Sequence, residues 1–206
     1  MELISANGRQ PTAEVTSREP WAVAIRRRYG NELQLQSAWS PAAQAHCASS
    51  LEKSATSVPF VRLIKSYGEN AVQVLLAAHM ADAIITMADA DSPPINKSDI
   101  FSSAGLIVTD TRLMTLPMGM LLVFFHRAKS RRYKIYGKYA TPQKLLETLQ
   151  QEFPNLFLET ERIRKGIEER ERAARLEERR HNSMSWEDYK ASRGLVGENP
   201  LTAMMR

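Results

Sequence analysis

Apolar residues recur along this chain at spacings of three and four, which is the period of an α-helix. The segment from about Glu69 to Ala88 is apolar over most of its circumference, so it is predicted to be a central helix of the core. Further amphipathic patterns predict helices over about 19–29, 58–67, 96–109 and 141–153, and one from about 117 into a basic segment. The sequence therefore predicts an all-α helical bundle.

Polar and proline-containing breaks separate these helices. Asp89 to Asn96 holds two prolines and is predicted to be a turn, with Asn96 capping the helix that follows. Ser40 and Pro41 resemble an N-cap and a first helical residue, so the alanine-rich run to about Lys53 is predicted to be helical as well.

The C-terminal third is charged rather than apolar. Pro154 is predicted to interrupt the chain, and residues 156–181 then form an exposed helix stabilised by its own pairs of opposite charge. Ser185 is the predicted cap of a short helix up to Arg193. The expected division is a flexible segment (1–18), a bundle domain (19–153), a charged helical arm (154–181) and a tail with a short helix (182–206).

Charge is distributed unevenly. The 206 residues carry a net charge of +5, but the stretch between Asp110 and Glu147 holds eight basic residues and no acid, so the rest of the chain carries −3. A polyanionic partner is therefore compatible with this chain. A single cysteine, Cys47, excludes an intramolecular disulfide and suits a reducing cytoplasm.

The centre of this stretch, residues 127–139, is called the basic loop below. Its candidate nucleic-acid-binding residues are Arg127, Lys129, Arg131, Arg132, Tyr133, Lys134, Tyr136, Lys138 and Tyr139. The cations would neutralise phosphates, and the tyrosines would stack on unpaired bases. The alternative is structural, with rings that anchor the loop to the core and cations that suit a helix C-terminus. Gly137 predicts a left-handed turn, and Thr141 and Pro142 predict the next helix start.

Chemical motifs point away from an enzyme. The chain has no phosphate-binding glycine loop, no Gly-x-Ser-x-Gly, no His-Glu-x-x-His and no paired cysteines. His79 is predicted to be a buried, hydrogen-bonded histidine, and Cys47 a packing residue. Asp89 to Asp91 lacks the glycine and glutamate of a calcium loop. We expect no catalytic site, no metal and no cofactor.

Partner contacts are expected near the C-terminus. Trp186 and Tyr189 lie three apart on the predicted short helix and are candidates for binding a protein partner. Folding back onto the same chain is the alternative, and weak dimerisation through the charged helix is left open. The N-terminus lacks the apolar core of a signal peptide, and no stretch reaches the roughly 20 apolar residues of a membrane span.

About half of the chain, from Val58 to Phe153, resembles a family of uncharacterised helical proteins from phages and mobile elements of gut bacteria. The similar segments are FVRLIKSYGENAVQVLLAAHMADAI, INKSDI and LVFFHRAKSRRYKIYGKYATPQKLLETL. Where that family has a glycine after Ala-Lys, this chain has Ser130 and Arg131. The family has no established activity, so the resemblance implies a setting and no chemistry. The architecture is loosely similar to phage helicase loaders.

Together these observations predict a non-enzymatic, nucleic-acid-associated adaptor, with a role in replication of a phage or mobile element. The alternative is a protein-interaction or structural bundle without a nucleic-acid role. The two differ in what the tyrosines of the basic loop contact.

Overall fold

A computed structural model of the chain describes residues 20–90, 92 and 94–193. Within this part the chain forms nine α-helices and no strand, which confirms the all-α prediction. The helices are α1 (Pro20–Tyr29), α2 (Glu32–Ala38), α3 (Leu51–Ala55), α4 (Phe60–Tyr67), α5 (Glu69–Met87), α6 (Lys97–Thr109), α7 (Met118–Lys129), α8 (Pro142–Asn182) and α9 (Trp186–Arg193). Short 3₁₀ turns lie at Cys47–Ser49, Leu113–Thr115 and Gly137–Tyr139.

The chain divides into two compact units, Met1–Arg164 and Lys165–Arg206. Residues 1–18, predicted to be flexible, lie outside the described residues, and so does the tail from residue 194. The bundle core belongs to the first unit.

Two helices, α5 and α7, make the largest contributions to that core. Every residue of α7 from Met118 to Phe125 is buried, and nine residues of α5 are buried. By length and composition alone, α5 is the one helix among the described residues that could cross a membrane. Half of its most apolar window is buried inside the protein. Its apolar circumference matches its central position, as the sequence predicted.

The starts of α4 and α7 are bonded to each other. The Phe60 N–H donates to the Leu116 carbonyl (3.0 Å), and the Met118 N–H donates to the Val58 carbonyl (2.9 Å). At the centre of this contact Pro59 faces Pro117. Because proline has no backbone N–H, the residues that flank the two prolines make the hydrogen bonds. The next residue, Gly119, lies so close to α3 that a Cβ there would come within 2.7 Å of backbone atoms.

The predicted helix from Ser40 to about Lys53 is wrong. Residues 41–46 form turns, and only Leu51–Ala55 is α-helical. The Ser40 hydroxyl does accept a bond from the Ala43 N–H (3.2 Å), as an N-cap would. Helices in proteins are held mainly by packing of an apolar face, and the run after Pro41 offers alanines but no large apolar side chain until Leu51.

A helix that the sequence analysis did not predict, α2, precedes this segment. Asn31 and Gln34 form a reciprocal capping box, in which each backbone N–H donates to the other's side chain at 2.9 and 3.0 Å. Leu35 is fully buried and ties this short helix to the core.

The predicted interruption at Pro154 is also wrong, because α8 runs unbroken from Pro142 to Asn182. A proline inside a helix removes one hydrogen bond and crowds the preceding turn, at a cost of about 3 kcal/mol. Leu149 and Leu156, on either side of it, are both fully buried, and their packing offsets this cost. The domain boundary expected between residues 153 and 154 falls inside this helix. Along the chain, the boundary between the two compact units lies between Arg164 and Lys165.

His79 is buried and hydrogen-bonded, as predicted. Its Nε2 lies 2.6 Å from the carbonyl oxygen of Trp39, so this nitrogen carries the proton and donates it. The ring also stacks on Phe125. Burial lowers the pKa of His79, which keeps the imidazole neutral. Burial likewise raises the pKa of the half-buried Cys47 thiol, which fits packing rather than reactivity.

Candidate nucleic-acid interface

The basic loop begins in a hydrogen-bonded stop at the end of α7. The Arg132 N–H donates to the Arg127 carbonyl (3.1 Å), and the Arg131 N–H donates to the Ala128 carbonyl (2.9 Å). These two bonds form a Schellman motif, which requires a left-handed residue between helix and loop. Arg131 takes that conformation, with φ +56°, and no other non-glycine residue in the described part of the chain has a positive φ.

An arginine in this conformation is strained. A Cβ in the left-handed region costs roughly 1–2 kcal/mol, which is why glycine is usual at this position. Arg131 is nevertheless exposed to solvent and makes no ion pair within the described residues. Backbone strain at an exposed residue that forms no ion pair in the fold is typical of a functional position.

Arg131→Gly is expected to raise the free energy of unfolding by about 1 kcal/mol, because glycine adopts φ +56° without a Cβ clash. Urea denaturation followed by circular dichroism measures the change. Arg132→Gly is the matched control, since it removes the neighbouring cation at a residue with negative φ and should be neutral or destabilising. A loss of stability in Arg131→Gly would contradict the assignment of strain.

Two cations at the start of the loop are paired inside the protein. Each of the two terminal guanidinium nitrogens of Arg127 donates a hydrogen bond to one carboxylate oxygen of Glu159 on α8, at 2.7 Å. Lys129 lies 2.7 Å from the carboxylate of Asp82 on α5. The bonds from Arg127 lower the pKa of Glu159, so both partners stay charged. These cations clamp the end of α7 to its neighbours and are already neutralised.

One of the three tyrosines anchors the loop. The ring of Tyr133 stacks on Phe124 of the core, with centroids 5.2 Å apart and an interplanar angle of 27°. Burial raises the pKa of the Tyr133 hydroxyl. Ile135, two residues later, is also buried. At Tyr133 the loop therefore shows the contact that the structural alternative expected.

The second half of the loop turns at Gly137, whose φ of +60° confirms the predicted left-handed turn. A Cβ at this position would collide with the carboxylate of Asp89, which follows α5. The predicted start of the next helix is also confirmed: the Lys144 N–H donates to the Thr141 hydroxyl (3.2 Å), and α8 begins at Pro142.

The other six candidate residues of the loop are exposed. They are Arg131, Arg132, Lys134, Tyr136, Lys138 and Tyr139, called the exposed set below. The ring of Tyr136 lies under Arg131, with 5.8 Å from Cζ to the centroid, and that of Tyr139 lies 5.3 Å from the Lys138 Nζ. Both distances suit a cation–π contact. Four cations and two rings therefore face solvent in nine consecutive residues.

Three consecutive arginines at the end of α1, Arg26, Arg27 and Arg28, are only partly available to bind a ligand. Arg26 donates two bonds to the Ser66 carbonyl at the end of α4 (3.0 and 2.7 Å), so it serves as a structural contact. Arg28 lies over the ring of Tyr29. Only Arg27 keeps an exposed side chain for which no such contact was found in the described residues.

The second unit carries the candidate protein-binding residues. The Asp188 N–H donates to the Ser185 hydroxyl (3.1 Å), which confirms the predicted cap of α9. The rings of Trp186 and Tyr189 stack with centroids 5.5 Å apart and are 37% and 39% exposed. Arg193 lies over Tyr189. The two rings thus present one partly exposed aromatic face.

No cluster of three or more histidine, cysteine or carboxylate side chains suited to a metal occurs in the part of the chain that the structure describes. An open cavity of about 320 Å³ lies beside Trp39 and is lined by His46, Cys47 and Lys53, without a carboxylate among its lining residues. In its wall, the hydroxyl of Ser54 donates to the Cys47 carbonyl and that of Ser57 to the Ser54 carbonyl.

Comparisons of the chain with protein-family models, with curated proteins and with solved structures found no match. The resemblance to proteins of phages and mobile elements therefore stays a prediction.

Proposed function

We propose that this protein is a non-enzymatic, nucleic-acid-associated adaptor that contacts phosphates through the four cations of the exposed set. The observation that carries the proposal is the group of four exposed cations, Arg131, Arg132, Lys134 and Lys138, within eight residues. None of the four makes an ion pair within the described residues, and the loop contains no acid. Such a group attracts a polyanion by releasing its counterions.

The ion pairs at the loop's base support the proposal in a second way. Arg127 and Lys129 hold the end of α7 against α8 and α5, so the exposed cations start from a fixed backbone. A preorganised loop loses less conformational entropy on binding than a free one. The structural contacts and the proposed binding role therefore belong to different residues of one loop.

The adaptor role needs a second contact, and α9 is our candidate for it. Trp186 and Tyr189 are aromatic residues of the kind enriched where proteins bind each other. The resemblance to proteins of phages and mobile elements motivates replication of such an element as the setting. A cytoplasmic location is part of the same proposal.

A second candidate function is a protein-interaction or structural bundle without a nucleic-acid role. The observation that favours it is the internal use of Arg127, Lys129 and Tyr133, three of the nine residues predicted to bind nucleic acid. In this case the exposed set is a solvated surface, and Trp186 and Tyr189 carry the function alone.

Fluorescence-anisotropy titration of labelled single-stranded and duplex oligonucleotides, over a series of salt concentrations, tests the proposal. We expect micromolar or tighter binding, with a slope of log K against log salt no steeper than about −3 for single strands, because four cations are available. A slope near −4 for single strands would mean that Arg127 and Lys129 leave their partners to bind. Flat traces with both substrates would favour the interaction bundle.

A further inference from the structure

We propose that the basic loop selects single-stranded nucleic acid, and that Tyr136 and Tyr139 each receive an unpaired base. This inference rests on the proposed function and adds the form of the ligand. The two rings are 50% and 55% exposed although the backbone between them is held at a buried glycine, Gly137. Large aromatic side chains that stay exposed on an anchored loop are suited to a ligand with flat apolar faces.

Each ring is paired with one cation of the exposed set. Arg131 lies over Tyr136 and Lys138 over Tyr139, at 5.8 and 5.3 Å. About half of the surface of each tyrosine is exposed. The inference places the base on the part of the ring that the cation leaves uncovered. The same cation would then lie near the phosphate of the stacked nucleotide. The loop thus contains two pairs of a stacking ring and a phosphate-binding cation.

A duplex does not expose the base faces on which these rings would stack. Its bases are stacked on each other, so a tyrosine reaches a base face only after unstacking the helix, which costs free energy. Reading a major groove requires an inserted helix or β-ribbon. From Arg131 to Tyr139 the loop has a single three-residue 3₁₀ turn, Gly137–Tyr139, and neither an α-helix nor a strand. The duplex therefore gains the charge contacts alone.

The third tyrosine, Tyr133, shows that base binding depends on the exposure of the ring and not on its spacing in the sequence. Tyr133, Tyr136 and Tyr139 recur every three residues, but the ring of Tyr133 is stacked on Phe124. This contact with the core occupies the ring face on which a base would otherwise stack. The number of bases held by the loop is therefore two.

The Tyr136→Leu/Tyr139→Leu double variant tests the inference, because leucine keeps apolar bulk but has no ring. Base stacking contributes a factor of roughly five to a hundred in affinity per base. We expect the unmodified protein to bind single strands at least about tenfold tighter than duplex of equal length, and the double variant to lose that difference with its duplex affinity unchanged. The Tyr136→Phe/Tyr139→Phe variant keeps both rings and should keep the preference.

The matched control is Phe101→Leu/Phe157→Leu, which replaces two partly exposed rings outside the basic loop, 39% and 38% exposed. It should leave the preference for single strands intact. Equal affinity for both substrates, or a preference that survives in the Tyr136 and Tyr139 double variant, would overturn the inference and leave the proposed function standing. The absence of binding to either substrate would overturn both.

Discussion

Replacement of Arg131, Arg132 and Lys134 together by alanine is expected to weaken nucleic-acid binding about a hundredfold at roughly 0.1 M salt. Each cation that neutralises a phosphate of a single strand contributes about 1 kcal/mol at that salt concentration through counterion release. The slope of log K against log salt should also become flatter, by about 2, because three fewer phosphates are neutralised. Anisotropy titrations at several salt concentrations measure both quantities.

The control for this variant removes the same charge elsewhere. Arg162, Arg172 and Arg179 are exposed on α8, and their replacement by alanine lowers the net charge by three without touching the loop. Alanine also has the highest helix propensity, so α8 should stay intact. If the control weakens binding as much as the loop variant, binding depends on net charge and not on the loop. An unchanged salt slope in the loop variant would contradict the phosphate contacts.

Phe124→Ala is expected to lower the free energy of unfolding by about 3–5 kcal/mol, because it removes a fully buried ring and leaves a cavity. Phe124 makes an edge contact with Phe125 and a stacked contact with Tyr133, so the loss reaches from the core into the basic loop. Urea denaturation followed by circular dichroism measures the change in midpoint.

Phe101→Ala provides the comparison, since this phenylalanine on α6 is 39% exposed and loses the same atoms. The expected loss there is below about 1 kcal/mol. Equal losses at the two positions would mean that Phe124 does not carry the core packing assigned to it.

Local signals explain which parts of the fold could be predicted. The cap at Asn96 and the start at Thr141 depend on hydrogen bonds within two or three residues, and the structure contains both bonds. The core position of α5 follows from its own apolar circumference. In each case the interaction that decides the structure lies within the same short segment of the sequence.

The errors arise where distant contacts decide. Nothing near Pro154 indicates that Leu156 will be buried and carry the helix through the proline. The run after Pro41 has helix-forming alanines, but it has no apolar face for the core to hold. Intrinsic propensity is a weak guide in such segments because packing overrides it.

The same limit applies to the candidate site. Its cations and tyrosines were recognisable from composition, but their roles were not. Arg127 and Lys129 have partners 32 and 47 residues away, and no local pattern connects Arg127 with Glu159 or Lys129 with Asp82. The sequence therefore indicates where the loop lies, but it does not distinguish the residues that anchor the loop from those that stay exposed.

The hydrogen bonds between the starts of α4 and α7 constrain the order in which the protein folds during its synthesis. Val58 and Phe60 are made early, but the groups that they bond, at Met118 and Leu116, leave the ribosome more than fifty residues later. Until then the start of α4 keeps its backbone groups in water, and the core lacks the most deeply buried helix. Domains generally complete their folding as units during synthesis. Here the first half of the bundle must wait for α7 before its core closes.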